Sequence, residues 1–227
     1  MSSQPLLVAD EVSRSFGPTR ALNGASLRVF PGEVLALTGP SGSGKSTLLH
    51  CLSGILTPDS GRVAFEGRDL AALTDRERSA LRRGAFGFVF QFGQLVPELT
   101  CLENVALPLR LDGVRRTRAE QHATELLDRL EVADVAGKRP GQVSGGQGQR
   151  VAVARALVTG PRVIFADEPT GALDSHNGAQ VMRLLVAAAK ERGSAVVLVT
   201  HESHIAACAD REVALRDGSA VAAEAAR

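Results

Sequence analysis

The pattern of apolar and polar positions predicts an α/β fold, with strands towards both ends of the chain and helices in the middle. Apolar and polar side chains alternate at 6–13 and 25–30, which is typical of half-buried antiparallel strands. Residues 33–38 form a short apolar run before a glycine-rich loop, which favours a buried strand, and a helix is predicted at 45–53. The same reasoning predicts further strands at 62–65 and 86–91.

The middle of the chain, residues 98–141, is predicted to be a helical subdomain inserted into the α/β core. Thr100 and Glu103 have the spacing of a capping box. Residues 116–130 have a helical pattern that places Leu126, Leu127 and Leu130 on one face. Prolines precede and end the segment, which supports a change of structure at both limits.

Two later apolar runs, at 162–166 and 195–200, lack alternation and therefore predict buried parallel strands. Between them one helical face is apolar, formed by Val181, Leu184, Leu185 and Ala188. Strand, helix and strand in this order form a βαβ unit, so we expect a parallel pair of strands here.

The composition is that of an ordinary globular protein: 227 residues, 44% hydrophobic and 22% charged. A net charge of +1 gives no reason to expect a nucleic-acid partner. The three cysteines, Cys51, Cys101 and Cys208, are far apart, which favours free thiols in a reducing compartment. We expect neither a signal peptide in residues 1–12 nor a membrane helix, and we expect the alanine-rich last residues to fray.

A complete phosphate-binding motif, GxxxxGK[ST], lies between the predicted strand at 33–38 and the following helix. Glycines let the backbone wrap closely around an anion, and the helix offers its positive N-terminal end. Lys45 would reach the β- and γ-phosphates of a nucleotide, and the Ser46 hydroxyl would bind Mg²⁺. The predicted nucleotide-binding residues here are Gly39, Pro40, Ser41, Gly42, Ser43, Gly44, Lys45, Ser46 and Thr47.

Two carboxylates, Asp167 and Glu168, end the apolar run that begins at residue 163. Ligands of α/β sheets bind at the carboxyl ends of the strands, so Asp167 is predicted to lie near the metal. Glu168 is one residue further on and is a candidate general base for the attacking water. A solvated strand end is the alternative, and the phosphate loop upstream favours the nucleotide site.

The segment Val143-Ser144-Gly145-Gly146-Gln147 resembles LSGGQ, the signature of the ABC ATPases. Ser144 and Gln147 have capping-box spacing, and a helix is predicted at 149–159. Gly148 stands where a polar side chain is common, and it is expected to loosen the first turn by up to about 1 kcal/mol. Without the other motifs, a well-capped helix would be the preferred interpretation.

The resemblance implies a P-loop NTPase core with a mixed sheet, an N-terminal antiparallel β subdomain and an inserted helical subdomain. It also implies two subunits stacked head to tail, with each ATP held between the phosphate loop of one and the signature of the other. The partner subunit is a second copy of the chain or a homologous ATPase subunit. On this basis Ser144, Gly145, Gly146 and Gln147 also bind nucleotide.

Four further residues match the family's motifs in order. Gln91 resembles the glutamine that links metal and water to the membrane-facing surface, and Asp174 lies in a segment similar to the interface D-loop. His201 resembles the switch histidine that contacts the γ-phosphate, and Phe16 the aromatic that stacks on adenine. The resemblance thus implies catalytic roles for Glu168, His201, Lys45 and Gln91, nucleotide binding by Phe16 and Asp174, and metal binding by Ser46, Gln91 and Asp167.

Residues 88–100 and 103–108 are similar to a narrower subfamily of lipoprotein-release, macrolide-efflux and cell-division ATPases. The resemblance implies one ABC ATPase domain over 1–227, with 1–97 and 142–227 as core and 98–141 as helical subdomain. ATP-driven dimer closure and reopening would power a permease on a separate chain, at the cytoplasmic face of the plasma membrane, for export or extraction from the membrane.

Two other functions follow from the same motifs. The first is mechanical signalling to an extracytoplasmic partner without transport, which nothing in the sequence separates from export. The second, a soluble ABC protein acting on DNA or ribosomes, is disfavoured because each motif occurs once and no long coiled coil separates them. The transported substrate is not encoded in these motifs.

Overall fold

The computed structural model describes residues 4–222, which form two compact units. One unit comprises the described residues up to 82 and those from 195 onward, and the other comprises residues 83–194. The chain beyond residue 222, where fraying was expected, lies outside the described residues. None of the helices within residues 4–222 has both the length and the apolar character that a membrane crossing requires.

The first unit begins with an antiparallel sheet of four strands, which lie in the order 19–29, 7–16, 60–65 and 68–69. The predicted segments 6–13 and 25–30 overlap two longer strands, 7–16 and 19–29, whose pairing continues to the turn at Gly17; residues 6 and 30 lie just outside them. In chain order the elements here are β1 (Leu7–Phe16), β2 (Thr19–Val29), β3 (Val34–Thr38), α1 (Lys45–Leu52), β4 (Ser60–Phe65), β5 (Arg68–Asp69) and α2 (Asp75–Gly84).

The second unit contains a parallel pair of strands and most of the helices. Its elements are β6 (Phe86–Phe90), α3 (Cys101–Leu111), α4 (Arg116–Arg129), 3-10 turns at Ala133–Val135 and Pro140–Gln142, α5 (Gly145–Leu157), β7 (Val163–Asp167) and α6 (Ser175–Arg192). Helices α3, α4 and α5 pack on one another, and β6 runs parallel to β7. The predicted capping box of Thr100 and Glu103 begins α3, and the three leucines of the predicted face at 116–130 are buried.

Two helical predictions need correction. The signature helix α5 begins at Gly145, not at 149, and it ends at Leu157. Glycine disfavours helix, but the Ser144 cap places both glycines in the first turn. On α6, Leu184 is only partly buried, and Met182 and the alanine at 189 complete the buried face.

The chain then returns to the first unit with β8 (Ala195–Val199), α7 (Ser203–Ala206), β9 (Arg211–Arg216) and β10 (Ser219–Ala222). Strand β3 runs parallel to both β8 and β9, and β10 is antiparallel to β9, which makes this sheet mixed. Strands β3 and β8 are buried on both faces, as their apolar runs predict. Neither β9 nor β10 is among the strands predicted from the sequence pattern.

The three cysteines are free, as their spacing predicts. Cys51 and Cys101 are buried, and Cys208 is exposed. Burial raises the pKa of the Cys51 thiol to about 11, so this side chain stays neutral at physiological pH.

Candidate functional site

The phosphate loop connects β3 to α1 and depends on glycines at fixed points. Gly39, Gly42 and Gly44 have φ of 134°, 77° and 100°, a region that other residues rarely adopt. A Cβ on Gly39 would lie 2.2 Å from the Leu215 carbonyl oxygen, and one on Gly44 would lie 2.3 Å from that of Ala21. The loop is therefore pressed against backbone on both sides, and larger residues at these two positions would displace it.

Helix α1 begins directly after this loop with no side chain capping its N-terminus. Gly44 occupies the N-cap position, where Ser, Thr, Asp or Asn would ordinarily accept a hydrogen bond from the first turn. No acidic residue lies in that turn either. The helix end therefore keeps the positive end of its dipole and its backbone donors available for an anion.

The Lys45 side chain is buried at the centre of the loop, with 6% of the residue exposed. Its ammonium group donates to the carbonyl oxygens of Gly39, at 2.9 Å, and Pro40, at 2.8 Å. Both acceptors are neutral, so they fix the ammonium in place without cancelling its charge. The loop thus contains a positioned cation beside the uncapped helix end.

His201 leaves the sheet at the same edge as the phosphate loop. Strands β3 and β8 are parallel, with Leu37 opposite Val199, and the Thr200 N–H donates to the Leu37 carbonyl at 3.2 Å. His201 comes next and is exposed. The loop follows β3 and His201 follows β8, so both lie at the carboxyl ends of neighbouring strands of the first unit.

Phe16 lies at the end of β1 and is 48% exposed, which is unusual for so large an apolar side chain. The Arg14 guanidinium lies 5.3 Å from the centre of its ring, in a cation–π contact. The ring thus presents aromatic surface that a planar base can cover.

In the second unit, Gln91 and Glu168 follow paired strand ends. Strands β6 and β7 are parallel, with Phe90 opposite Asp167, so the next residue of each strand leaves the sheet at the same edge. Gln91 lies against the turn after β7, because a Cβ on Gly171 would come within 2.7 Å of its Nε2. The structure therefore brings the predicted glutamine and the acidic strand end together.

Glu168 adopts a left-handed backbone conformation with φ of 45°. Its carbonyl accepts a hydrogen bond from the Gly171 N–H at 3.1 Å, which closes the turn. A non-glycine residue in this region carries backbone strain of about 1 kcal/mol or more, and such strain concentrates at functional sites. The turn thus fixes the direction in which the Glu168 side chain leaves β7.

The signature segment forms a self-capped helix end. The Ser144 hydroxyl accepts a bond from the Gln147 N–H at 3.3 Å, and the Gln147 side chain accepts one from the Ser144 N–H at 3.0 Å. Ser144 and Gly145 are exposed. Gly146 is buried, and a Cβ there would lie 3.1 Å from Asn177 Oδ1.

Asp174 caps the neighbouring helix α6 through the same asparagine. Its carboxylate accepts bonds from the backbone N–H groups of His176 and Asn177, and from the Asn177 amide at 2.6 Å. These bonds, that of the Asn177 N–H first, lower the pKa of the Asp174 carboxyl. The D-loop and signature segments therefore share Asn177, which the sequence analysis does not single out.

Two polar residues of α5 hold the segment on either side of Gln91, residues 90–94, and sequence reasoning misses both. The Gln149 amide donates to the Phe90 carbonyl at 2.8 Å, and the Arg155 guanidinium donates to the carbonyls of Gly93 and Gln94 at 2.7 and 2.8 Å. Burial lowers the pKa of Arg155. From the sequence pattern alone, polar residues such as Gln149 and Arg155 are expected to face solvent. Their contacts with the loop are apparent only in the structure.

A cleft of about 250 Å³ separates this segment from the signature within the second unit. Phe92 forms part of its wall and is 77% exposed. The walls also include Gln91, Leu95, Val143, Ser144 and Leu173. The structure therefore places the predicted glutamine and the signature serine on one cleft.

The phosphate loop and the parallel strands that position it define the class of protein: a P-loop NTPase. The model of the family described as "ABC transporter" matches residues 22–171, and the chain belongs to that family. It is an ATP-binding and ATP-hydrolysing subunit of the ABC type.

Individual relatives agree with this family. The chain is 46% identical over 220 residues to the lipoprotein-releasing system ATP-binding protein LolD 2 of Caulobacter vibrioides, and the match covers 95% of the chain and 96% of that protein. It is 44% identical over 225 residues to the macrolide export ATP-binding/permease protein MacB of Marinobacter nauticus, covering 97% of the chain but 35% of MacB. The predicted resemblance to lipoprotein-release and macrolide-efflux ATPases is thus confirmed.

A solved structure of similar fold is the dimeric, post-hydrolysis ATP-binding cassette MJ0796 with ADP and Pi. Its TM-score is 0.89 at 38% identity, covering 97% of this chain and 99% of that one. The predicted fold class and the ATPase activity are therefore confirmed. The roles of individual residues and the bound metal stay predictions.

Proposed function

We propose that this chain hydrolyses ATP in a dimer with a second copy or a homologous ATPase subunit, on the cytoplasmic face of the plasma membrane. Closing and reopening of the dimer would power a separate integral membrane permease, for export or for extraction from the membrane. The observation that carries the proposal is the uncapped helix end at Lys45, with a buried ammonium that, within residues 4–222, donates to the neutral carbonyls of Gly39 and Pro40. Such a site is stabilised by a polyphosphate.

The nucleotide is proposed to lie between the two copies. One copy supplies the phosphate loop, residues 39–47, with Lys45 at the β- and γ-phosphates and Phe16 against adenine. The other copy supplies the exposed signature helix end and Asp174. The MJ0796 cassette supports this arrangement, because it is a dimer bound to ADP and Pi.

Mg²⁺ is proposed to bind through Ser46, Gln91 and Asp167 together with the phosphates. Hydroxyl, amide and carboxylate oxygens are ligands that Mg²⁺ prefers, so the residue types present fit this metal. Ser46 is an exposed residue in the first turn of α1, and Asp167 ends β7. Bound metal would supply neutralisation of phosphate charge.

Glu168 is proposed to accept a proton from the water that attacks the γ-phosphate. Its left-handed backbone fixes how the side chain leaves β7, and a positioned base typically contributes about 10²–10⁴-fold to the rate. His201 would contact the γ-phosphate from the strand end beside the loop. Gln91 would orient the water and report nucleotide state to the permease-facing surface.

The exporting role is proposed from the names of relatives. LolD 2 is the ATP-binding protein of a lipoprotein-releasing system, and MacB combines ATP-binding and permease in one protein. The exposed Phe92 beside Gln91 offers apolar surface for a permease contact. We propose one ABC ATPase domain, in which residues 98–141 are a helical subdomain ending at the signature.

Replacing Glu168 by glutamine tests the proposal. Glu168→Gln is expected to lower ATP turnover about 100-fold or more while keeping ATP binding, because the amide cannot accept the proton. The variant is also expected to elute as a dimer with ATP and a monomer without it in size-exclusion chromatography. A matched control is Glu66→Gln, which changes a glutamate of similar backbone, φ 49°, in the β4–β5 turn.

The control variant is expected to hydrolyse ATP at the wild-type rate. A Glu168→Gln protein that turns over ATP normally, or stays monomeric with ATP, would contradict the role given to Glu168.

A further inference from the structure

The hairpin of β9 and β10 contacts the phosphate loop at two residues. The Leu215 carbonyl of β9 presses on Gly39, where no Cβ fits. At the turn between the strands, the Gly218 N–H donates to the Ser43 carbonyl at 3.2 Å. Two loop residues are therefore held by a hairpin that is more than 170 positions away in the sequence.

The turn is itself fixed against β2. The Asn23 N–H donates to the Gly218 carbonyl, and the Ser219 hydroxyl donates to the Asn23 carbonyl, both at 2.8 Å. A Cβ on Gly218 would lie 2.9 Å from the Ala21 oxygen, 2.9 Å from Leu22 Cα and 3.0 Å from Asn23 N. All three are backbone atoms, so any side chain at this position must push the turn away from β2.

The bond to Ser43 sets the orientation of the next peptide donor. In a trans peptide the C=O and the following N–H point in opposite directions, so a Ser43 carbonyl held by the hairpin aims the Gly44 N–H away from the hairpin. The Ser43 hydroxyl is buried and has no hydrogen-bond partner among the described residues. The Ser43 side chain therefore provides no second restraint on this peptide.

We propose that Gly218 is a positioning residue for the phosphate loop: its N–H fixes the Ser43–Gly44 peptide so that the Gly44 N–H is directed at the bound phosphates. This role rests on the proposed function, in which the loop holds the polyphosphate of ATP. A donor to an ionised oxygen forms one of the stronger hydrogen bonds in proteins, and it acts only when correctly aimed.

The chain contains a matched control for Gly218. The β4–β5 turn has the same two-residue geometry, with Glu66 and Gly67 at φ 49° and 79° against 47° and 75° for Asp217 and Gly218. A Cβ on Gly67 meets nothing within 4 Å. Gly67→Ala therefore introduces the same backbone strain as Gly218→Ala, without displacing the turn.

The test is calorimetric titration of the wild type and both variants with ATP, well below their unfolding temperatures. Gly218→Ala is expected to raise the ATP dissociation constant about tenfold, and Gly67→Ala less than twofold. Turnover assays should show the same increase in KM for ATP, with kcat at saturating ATP within about twofold of the wild type. Equal dissociation constants for the two variants would overturn the proposal.

Two milder substitutions, both at Ser219, test the proposal if Gly218→Ala does not fold. Ser219→Ala removes the bond to Asn23, and Ser219→Thr keeps the hydroxyl in a residue that suits a strand. The alanine variant should weaken ATP binding about threefold and the threonine variant should restore it; equal affinities would overturn the proposal. If the wild type itself failed to bind ATP, the proposed function would fail instead.

Discussion

The phosphate loop and the signature segment each place glycines at a helix N-terminus, but the two helix ends are built differently. At α1, the N-cap is a left-handed glycine and no side chain caps the helix. At α5, Ser144 in extended conformation and Gln147 form a reciprocal capping box. The first helix end lacks a cap of its own, and the second is capped by two of its own side chains.

This difference separates two tasks. The α1 end, with its buried lysine, gains most from binding an anion, because its N-cap glycine provides no side chain that could accept a hydrogen bond from the helix. The α5 end is already stable and exposed, so an arriving phosphate gains less from it. We therefore expect affinity for ATP to depend on α1, and the signature to matter when two subunits close on the nucleotide.

The largest expected effect comes from removing the loop cation. Lys45→Ala should raise the ATP dissociation constant about 100-fold, because it deletes a buried charge that is proposed to contact the β- and γ-phosphates. Isothermal titration with ATP measures this directly. Lys138→Ala, at an exposed lysine of the second unit, is the control and should bind ATP like the wild type. Unchanged affinity in Lys45→Ala would break the distinction between the two helix ends.

A smaller effect is expected at the signature cap. Ser144→Ala should destabilise the protein by about 1 kcal/mol through loss of the N-cap, and lower turnover about tenfold with little change in ATP affinity. Denaturant unfolding, ATP titration and ATPase assays measure the three quantities.

Thr100→Ala is the matched control for that variant, because Thr100 and Glu103 form the same capping box at α3. Thr100→Ala should lower the free energy of unfolding by a similar amount and leave ATP turnover unchanged. If both variants lowered turnover equally, the signature serine would act only through the stability of its helix.

The sequence predicts those parts of the site whose contacts are local. The capping boxes at Thr100 and Ser144 join residues three positions apart, and the phosphate loop follows its own strand directly. The parallel strands are recognisable because burial on both faces demands continuous apolar runs. These features explain why the fold class and the nucleotide loop follow from pattern and motif.

The contacts that hold the loops are not local, so the sequence does not reveal them. Arg155 binds the segment after Gln91 from about sixty positions away, and Gly218 holds Ser43 across most of the chain. The left-handed conformation of Glu168 is equally invisible, because glutamate usually avoids it. The late start predicted for α5 has a different cause: glycine has a low helix propensity, and the Ser144 cap overrides it.

The smallest expected effect tests whether the α5 end behaves as an ordinary capped helix. Gly148 lies in its first turns, and a Cβ there would meet only Val143 Cγ2, at an ordinary 3.8 Å. Gly148→Ala should therefore stabilise the protein by about 1 kcal/mol and raise Tm by about 2–4 °C, without changing ATP affinity. Gly178→Ala is the control. Gly178 lies inside α6, where a Cβ would lie 3.3 Å from Thr170 Cβ, so this variant should bring no gain in stability. A Gly148→Ala protein that melts at or below the wild-type temperature would mean that the signature turn needs glycine flexibility, and that the capping box alone does not describe this helix end.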